Sequence, residues 1–311
     1  MDPLKIVVLG SGSSIPTADR NHAGFWIRYG GKVFLWDCGE GTQRQLRSAG
    51  LTPTKIDDIF ITHWHADHFA GLIGLLKTLK LEERTKELQL YGPQTEKYVP
   101  LILKLTGEPG YEIQTIELNL PENNLQEQSV SETQTVPQVV LRKKDFTISW
   151  IPARHSIPAV AYCFQEKDHW NIDLQKAKKQ GLTPGPLLQK IKEQEKVSFR
   201  GRTISLAQIA NKTKGRKIVY SGDTAPSPLI KSLATGADIL VHEATFLKQS
   251  SLNHTTAVEA AKLAKSAGVK KLILTHYSQR FKTPEPLEKQ AQKYFPNTKA
   301  ARDLLKLEIS R

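Results

Sequence analysis

Cysteine is nearly absent: the 311 residues hold two, which excludes both a disulfide framework and a thiolate cage for metal. Cys38 follows a predicted strand and Cys163 lies inside another, so each is expected to pack and not to pair. Long apolar runs are missing too, none approaching the ~20 residues that span a bilayer, and no membrane segment is expected. The chain passes from Met1-Asp2-Pro3-Leu4-Lys5 directly into an apolar strand, so no signal peptide is expected and the location should be cytoplasmic. No flexible linker interrupts the alternation of strand and helix signals. A single domain over 1–311, carrying an inserted arm at 167–217, is therefore expected.

Basic residues are missing from one stretch and crowded into another. Between Leu105 and Leu141 there is no Lys or Arg, while Glu108, Glu112, Glu117, Glu122, Glu127 and Glu132 recur. In the arm, Lys176, Lys178, Lys179, Lys190, Lys192, Lys196, Arg200, Arg202, Lys212, Lys214 and Arg216 far outnumber Asp168, Asp173, Glu193 and Glu195. A formal net charge of +13 exceeds what solubility needs and points to a polyanionic partner, nucleic acid first, that meets the arm and avoids the acidic stretch.

What is present alternates in period. Residues 5–9, 24–29 and 32–37 read as strands, the last two joined by a hairpin turn through Gly30-Gly31. Helical spacing follows at 42–49 and 69–81, then strand–helix units at 88–91 with 94–105, 238–241 with 255–267, and 271–275 with 286–295. The polar stretch 120–137 has loop composition. Inside the arm, 173–179 reads as a short helix ended by Gly181, Pro184-Gly185-Pro186 as a rigid turn, and 187–192 as a second helical run. Lys178, Lys179 and Lys190, with the turn at Gly185 and Pro186, are its expected substrate contacts, since ordered lysines and backbone N–H groups suit phosphate.

The densest chemistry lies in Thr62-His63-Trp64-His65-Ala66-Asp67-His68, after the apolar strand 58–61. Imidazole nitrogen and carboxylate oxygen are the ligands zinc takes when a position stays open for water. His63 and His65, alternating outward from extended chain, can grip one ion. Asp67 and His68, where the chain turns into the helix at 69, can face a second. Three more ligand types close apolar strands: His155 after 146–151, Asp223 after 217–220 and His276 after 272–275. Read alone, His155 could be a surface loop residue, Asp223 a turn former beside Gly222, and His276 a core histidine. Repeated at strand ends, they are also what a rigid sheet offers a catalytic site.

Together and in this order, these residues resemble the metallo-β-lactamase superfamily over nearly the whole chain. Five segments narrow the resemblance: Leu9-Gly10-Ser11-Gly12-Ser13-Ser14-Ile15-Pro16, Trp36-Asp37-Cys38-Gly39-Glu40-Gly41-Thr42-Gln43-Arg44-Gln45, His242-Glu243-Ala244-Thr245-Phe246, His254-Thr255-Thr256, and Gly181-Leu182-Thr183-Pro184-Gly185-Pro186-Leu187. They resemble ribonuclease Z, the zinc endonuclease that trims the 3′ trailer of precursor tRNA. One position departs from the family's early loop, Ala18 standing where lysine is usual in Pro16-Thr17-Ala18-Asp19-Arg20-Asn21.

The resemblance implies an α/β fold, the αββα sandwich of two facing sheets with helices outside, with a flexible arm that grips tRNA. It implies two Zn2+ per subunit: His63, His65 and His155 holding one, Asp67, His68 and His276 the other, and Asp223 bridging both. Water on such an ion ionises near pH ~7, and hydrolysis would leave a 3′-hydroxyl on the tRNA and a 5′-phosphate on the trailer. Asp67 has the second role of proton acceptor. His254, oriented by Glu243, is the candidate donor to the leaving oxygen, and Arg280 could hold a phosphate oxygen or lie idle at the surface. A homodimer is implied, one subunit's arm holding tRNA for the other's site.

Other readings stay open. A phosphodiesterase of this superfamily acting on another RNA or a small cyclic phosphodiester would use the same ligands, and for a small substrate it would need no basic arm. A catalytically idle RNA-binding protein would bury imidazoles and carboxylates without the metal that offsets their burial. The superfamily's diiron oxidases carry glutamate where His65 stands, which argues against iron.

Overall fold

The computed structural model describes residues 3–120, 136–247 and 253–310; the stretch read as a loop at 120–137 lies largely outside them. The chain forms two compact units, the first comprising Met1–Leu141, Ile148–Phe164 and Lys217–Arg311, the second Arg142–Thr147 and Gln165–Arg216.

In chain order the elements are β1 (Leu4–Gly10), β2 (Gly24–Tyr29), β3 (Lys32–Cys38), α1 (Thr42–Ser48), β4 (Asp58–Phe60), α2 (Ala66–Phe69), α3 (Gly71–Leu81), β5 (Leu88–Gly92), α4 (Thr95–Thr106) and β6 (Ile113–Glu117). There follow β7 (Gln138–Arg142), β8 (Phe146–Ala153), β9 (Ala159–Glu166), β10 (His169–Ile172), α5 (Leu174–Lys179), α6 (Pro186–Gln194), β11 (Lys196–Phe199), β12 (Arg202–Ser205), α7 (Leu206–Ile209) and β13 (Ala210–Thr213). The last are β14 (Lys217–Tyr220), α8 (Pro228–Ala234), β15 (Ile239–Glu243), α9 (Ala257–Ser266), β16 (Lys271–Thr275), α10 (Glu285–Gln292), β17 (Thr298–Ala300) and β18 (Lys306–Ile309). Two seven-stranded sheets result, ordered β18-β1-β2-β3-β4-β5-β6 and β17-β16-β15-β14-β9-β8-β7.

Side chains alternate along a strand, so a strand apolar at every position needs a neighbour on each face. In β3, Phe34 and Trp36 point between the sheets: Phe34 lies 6.3 Å from Phe164, and Trp36 stacks at 6.0 Å on Tyr220. Phe25 meets the same tyrosine at 4.8 Å. Such aromatic pairs contribute roughly 0.5–1.5 kcal/mol each beyond their buried area. The alternate residues Val33 and Leu35 join Leu46 of α1, Leu72, Leu75 and Leu79 of α3, and Val99 of α4 in an outer core. In the second sheet Ala161 and Cys163 of β9 pack towards Ile230 of α8, Leu287 of α10 and the alanine stripe Ala257, Ala260, Ala261 and Ala264 of α9. Each sheet thus has helices outside and aromatics inside, the αββα order. Both cysteines are free and buried, and among the described residues no helix is long and apolar enough to cross a membrane.

Several boundaries differ from the sequence reading by a few residues, and two of the differences have a local cause. The helix expected at 69–81 is two helices, α2 beginning at Ala66, so Asp67 and His68 lie within its turn. Gly71 opens α3 where a Cβ would stand 2.1 Å from the Gly39 carbonyl oxygen, a close approach only glycine permits. The helix expected from 255 begins at Ala257, because Thr256 is its N-cap and closes a capping box with Glu259.

The second unit contains the basic insertion. Strands β10 with β13 and β11 with β12 pair antiparallel, and Ala177, Leu182, Leu188, Ile191, Val197, Ile204, Leu206 and Ile209 form a core of its own. Asp173 caps α5 by accepting from the N–H groups of Gln175 and Lys176, and Pro186 opens α6. Lys178, Lys179, Gly185, Pro186 and Lys190 are all exposed.

Candidate metal centre

The residues singled out at strand ends come together in the first unit. β4 leads into Thr62 and His63, β8 into His155, β14 into Asp223 and β16 into His276, while Glu243 closes β15. Strands β14, β15 and β16 are parallel neighbours, so their carboxyl ends open at one edge, the usual ligand position in an open parallel sheet.

Two groups of donors form there. His63 Nε2 and His155 Nε2 each lie 3.1 Å from His65 Nδ1. Ligands ~2.05 Å from a tetrahedral ion stand about 3.3 Å apart, so this spacing suits one cation. In the second group His276 Nε2 is 3.2 Å from Asp67 Oδ2 and 3.4 Å from His68 Nε2. Asp223 touches both groups: its Oδ2 is 3.2 Å from His276 Nε2 and 3.9 Å from His63 Nε2, and its Oδ1 is 3.4 Å from His68 Nε2. That Oδ1 is buried with no hydrogen-bond partner, which in a folded protein calls for an explanation such as a bound ion. The donor set and the orphaned oxygen both fit cations, and six of these seven residues are buried, His65 being half-buried.

Electrostatics prepare the same exchange. Burial, then the neighbouring His68, hold the His63 imidazole well below its usual range, and burial also lowers His65 and His155; neutral imidazole is the ligating form. His68 goes the other way: burial opposes its charge, but Asp223, Asp67 and Asp37 raise it well above the ordinary value. The carboxyl of Asp223 is held far below its range by His276 and His68 despite its burial, and Asp67 likewise, chiefly by His68. The carboxylates that raise His68 thus draw positive charge towards this group of donors.

Two buried carboxylates orient the imidazoles from behind. Asp37, fully buried, accepts from Thr62 N at 2.7 Å, from the Thr62 hydroxyl at 2.9 Å and from Tyr220 Oη at 2.7 Å, and lies 2.7 Å from His68 Nδ1. Because the single Thr62 proton goes to Asp37, His63 Nδ1, 3.0 Å from that hydroxyl, is the donor and Nε2 stays free to ligate. Glu243 repeats the device: Thr245 Oγ1 donates to it at 2.7 Å and receives His276 Nδ1–H at 2.9 Å, while Thr224 N–H donates to its Oε1 at 2.6 Å. His254 Nδ1 lies 3.0 Å from Glu243 Oε2. Burial works against its charge, but the Glu243 hydrogen bond and charge, then Asp223 and Asp67, raise it to about 9.

Backbone strain collects here too. Asp37 and His276 have φ of +54° and +60°, a region residues with a Cβ occupy only where the surroundings enforce it. Gly222, at φ +57°, sits where a Cβ would meet Thr62 Cβ at 2.9 Å.

Sequence reasoning missed the parts of Asp37, Thr62, Tyr220 and Thr245. Only Asp37 carried a signal, an acid in an otherwise apolar strand. Arg280 is exposed, its backbone N–H bonded to Ser278 Oγ at 3.3 Å.

Residues 4–180 match the family model described as anti-Pycsar protein Apyc1. The chain is 37% identical to the ribonuclease Z of Methanothermobacter thermautotrophicus across 98% of this chain and 97% of that one. It is 39% identical to the ribonuclease Z of Brevibacillus brevis over the same shares. Among solved structures it resembles the short form of human tRNase Z, with a TM-score of 0.72 and 26% identity over 99% of this chain and 100% of that one. The metallo-β-lactamase fold protein YhfI of Bacillus subtilis follows at TM-score 0.69 and 21% identity, again over 99% and 100%. A full-length likeness of this degree, on this donor set, places the chain in the ribonuclease Z family, metal-dependent enzymes of the metallo-β-lactamase fold.

Proposed function

We propose that this protein is a zinc endoribonuclease that removes the 3′ trailer from precursor tRNA. The observation that carries the reading is Asp223, one carboxylate within reach of two converging donor groups in a chain of this family. His63, His65 and His155 would hold one Zn2+, Asp67, His68 and His276 the other, and Asp223 both. The chemistry such ions would supply when bound is a more acidic water, its pKa lowered from ~15.7 towards ~7, and a counter-charge for the phosphoryl oxygens.

The chain's own groups do the rest. Asp67 accepts the proton of the attacking water. With Nδ1 committed to Glu243, His254 has Nε2 left to return a proton to the leaving 3′ oxygen. Hydrolysis then leaves a 3′-hydroxyl on the tRNA and a 5′-phosphate on the trailer. Lys178, Lys179 and Lys190, with the Gly185-Pro186 turn, contact phosphates on the insertion, and Arg280 holds a phosphate oxygen nearer the chemistry. The enzyme works as a homodimer in the cytoplasm.

The test is to incubate precursor tRNA bearing a 3′ trailer with purified protein, with and without chelator, and to map both product ends. Chelator-sensitive cleavage at the trailer junction is expected. Intact precursor in the presence of metal-loaded protein that hydrolyses a small cyclic phosphodiester would replace this reading with that activity.

A further inference from the structure

We propose that Asp303 is a positioning residue for the metal centre, acting on His276 through Ser11 and Tyr277; this rests on the reading of His276 as a ligand. Asp303 lies between β17 and β18, 27 positions after His276 in the chain. Its Oδ1 accepts from Ser11 N at 3.0 Å and Ser11 Oγ at 2.8 Å; its Oδ2 accepts from Asn21 N and Gln45 Nε2, both at 2.7 Å. Four donors on two oxygens require a carboxylate, since an amide would turn its own N–H groups against two of them.

Ser11 in turn grips the backbone next to the ligand. Its carbonyl accepts from Tyr277 N at 3.0 Å, and Ser13 N donates to the Tyr277 carbonyl at 3.1 Å. Gly12 and Tyr277 pair as a parallel bridge. Tyr277, itself fully buried, directly follows His276, whose φ of +60° persists only while its surroundings hold it. The same segment is tied to β16 by Ala301 N donating to Leu274 O at 2.8 Å and to β1 by Leu304 N donating to Val8 O at 2.7 Å. Asp303 thus clamps the loop that keeps His276 Nε2 at 3.2 Å from both Asp67 Oδ2 and Asp223 Oδ2.

Zn2+ affinity, read by competition with a chelating dye on folded protein, tests this without reference to turnover. Asp303→Asn should weaken binding about 10–100-fold, as loss of a group that orients a ligand does, and Ser11→Ala should weaken it less. Leu287→Ala, which opens a cavity under α10, serves as a destabilised control whose melting temperature is measured alongside, and it should keep its affinity. If Asp303→Asn binds Zn2+ like the wild type, or loses no more than Leu287→Ala, the proposal is wrong; should Asp303→Asn not fold, Ser11→Ala measured against Leu287→Ala decides. His276→Ala separates the two ideas, because full affinity in that variant would defeat the ligand reading itself.

Discussion

Replacing Glu243 with Gln should move the pH at which cleavage fails more than it lowers the rate in mild acid. In the metal-free protein His254 is raised to about 9, and after the opposing burial the largest contributions are the hydrogen bond and charge of Glu243. Without that charge the imidazole falls back towards its ordinary range, with Asp223 and Asp67 still raising it against burial. At pH ~8 a donor of pKa ~9 is about 90% protonated and one at the ordinary ~6.5 about 3%, so the rate loss is at most ~30-fold if that proton is used; at pH ~6 the two differ by less than about 1.5-fold. The sign for stability is the same. A raised histidine stabilises the fold fully below ~6.5 and loses that contribution as pH climbs through about 9; it is on the order of 3 kcal/mol in all, shared by Glu243, Asp223 and Asp67, and the variant lacks the Glu243 share. Single-turnover cleavage from pH ~5.5 to ~9.5, with an NMR titration of His254 in both metal-free proteins, reads both effects. A deficit in Glu243→Gln that is constant across pH, or a His254 that titrates alike in both proteins, would refute the reasoning.

Asp223→Ala should abolish cleavage and lower bound metal, and should let the His68 pKa fall, because Asp223 is the strongest of the charges that raise it; normal rate at full zinc content would sink the bridging role. Replacing 169–213 by a short Gly/Ser turn removes a unit with its own core and should weaken precursor-tRNA binding and flatten its salt dependence, while a small activated phosphodiester is still hydrolysed. Equal salt slopes in the two proteins would show that the insertion is not the grip. His254→Ala should cost about 10²–10⁴ in rate on tRNA with zinc retained, and nearly nothing on a substrate whose leaving group needs no proton; an equal loss on both would make His254 a positioning group.

Much of the site is legible before folding because donor chemistry is concentrated. Four ligand-type residues fall within six positions from His63 to His68, and His155, Asp223 and His276 each follow an apolar strand. The two-sided burial of β3 and β9 is legible as well, since apolar residues at consecutive strand positions have to be covered on both faces. The break before Gly71 is not, because the carbonyl that forbids a side chain there belongs to Gly39.

The sequence by itself determined which atoms could bind a cation or move a proton, because that follows from side-chain identity. It also determined that the charge of the insertion is basic and that the sheets are apolar within. Only the tertiary structure decided which of those atoms share a pocket, which nitrogen of each imidazole is committed, and that Thr62, Thr245 and Asp303 take part at all. Each role depends on at least one hydrogen bond between distant positions: 25 apart for Thr62 and Asp37, 31 for Thr245 and His276, and 292 for Asp303 and Ser11. A threonine or an aspartate is as common on a solvated turn as behind a ligand, and what separates the two cases is the partner that folding brings to it.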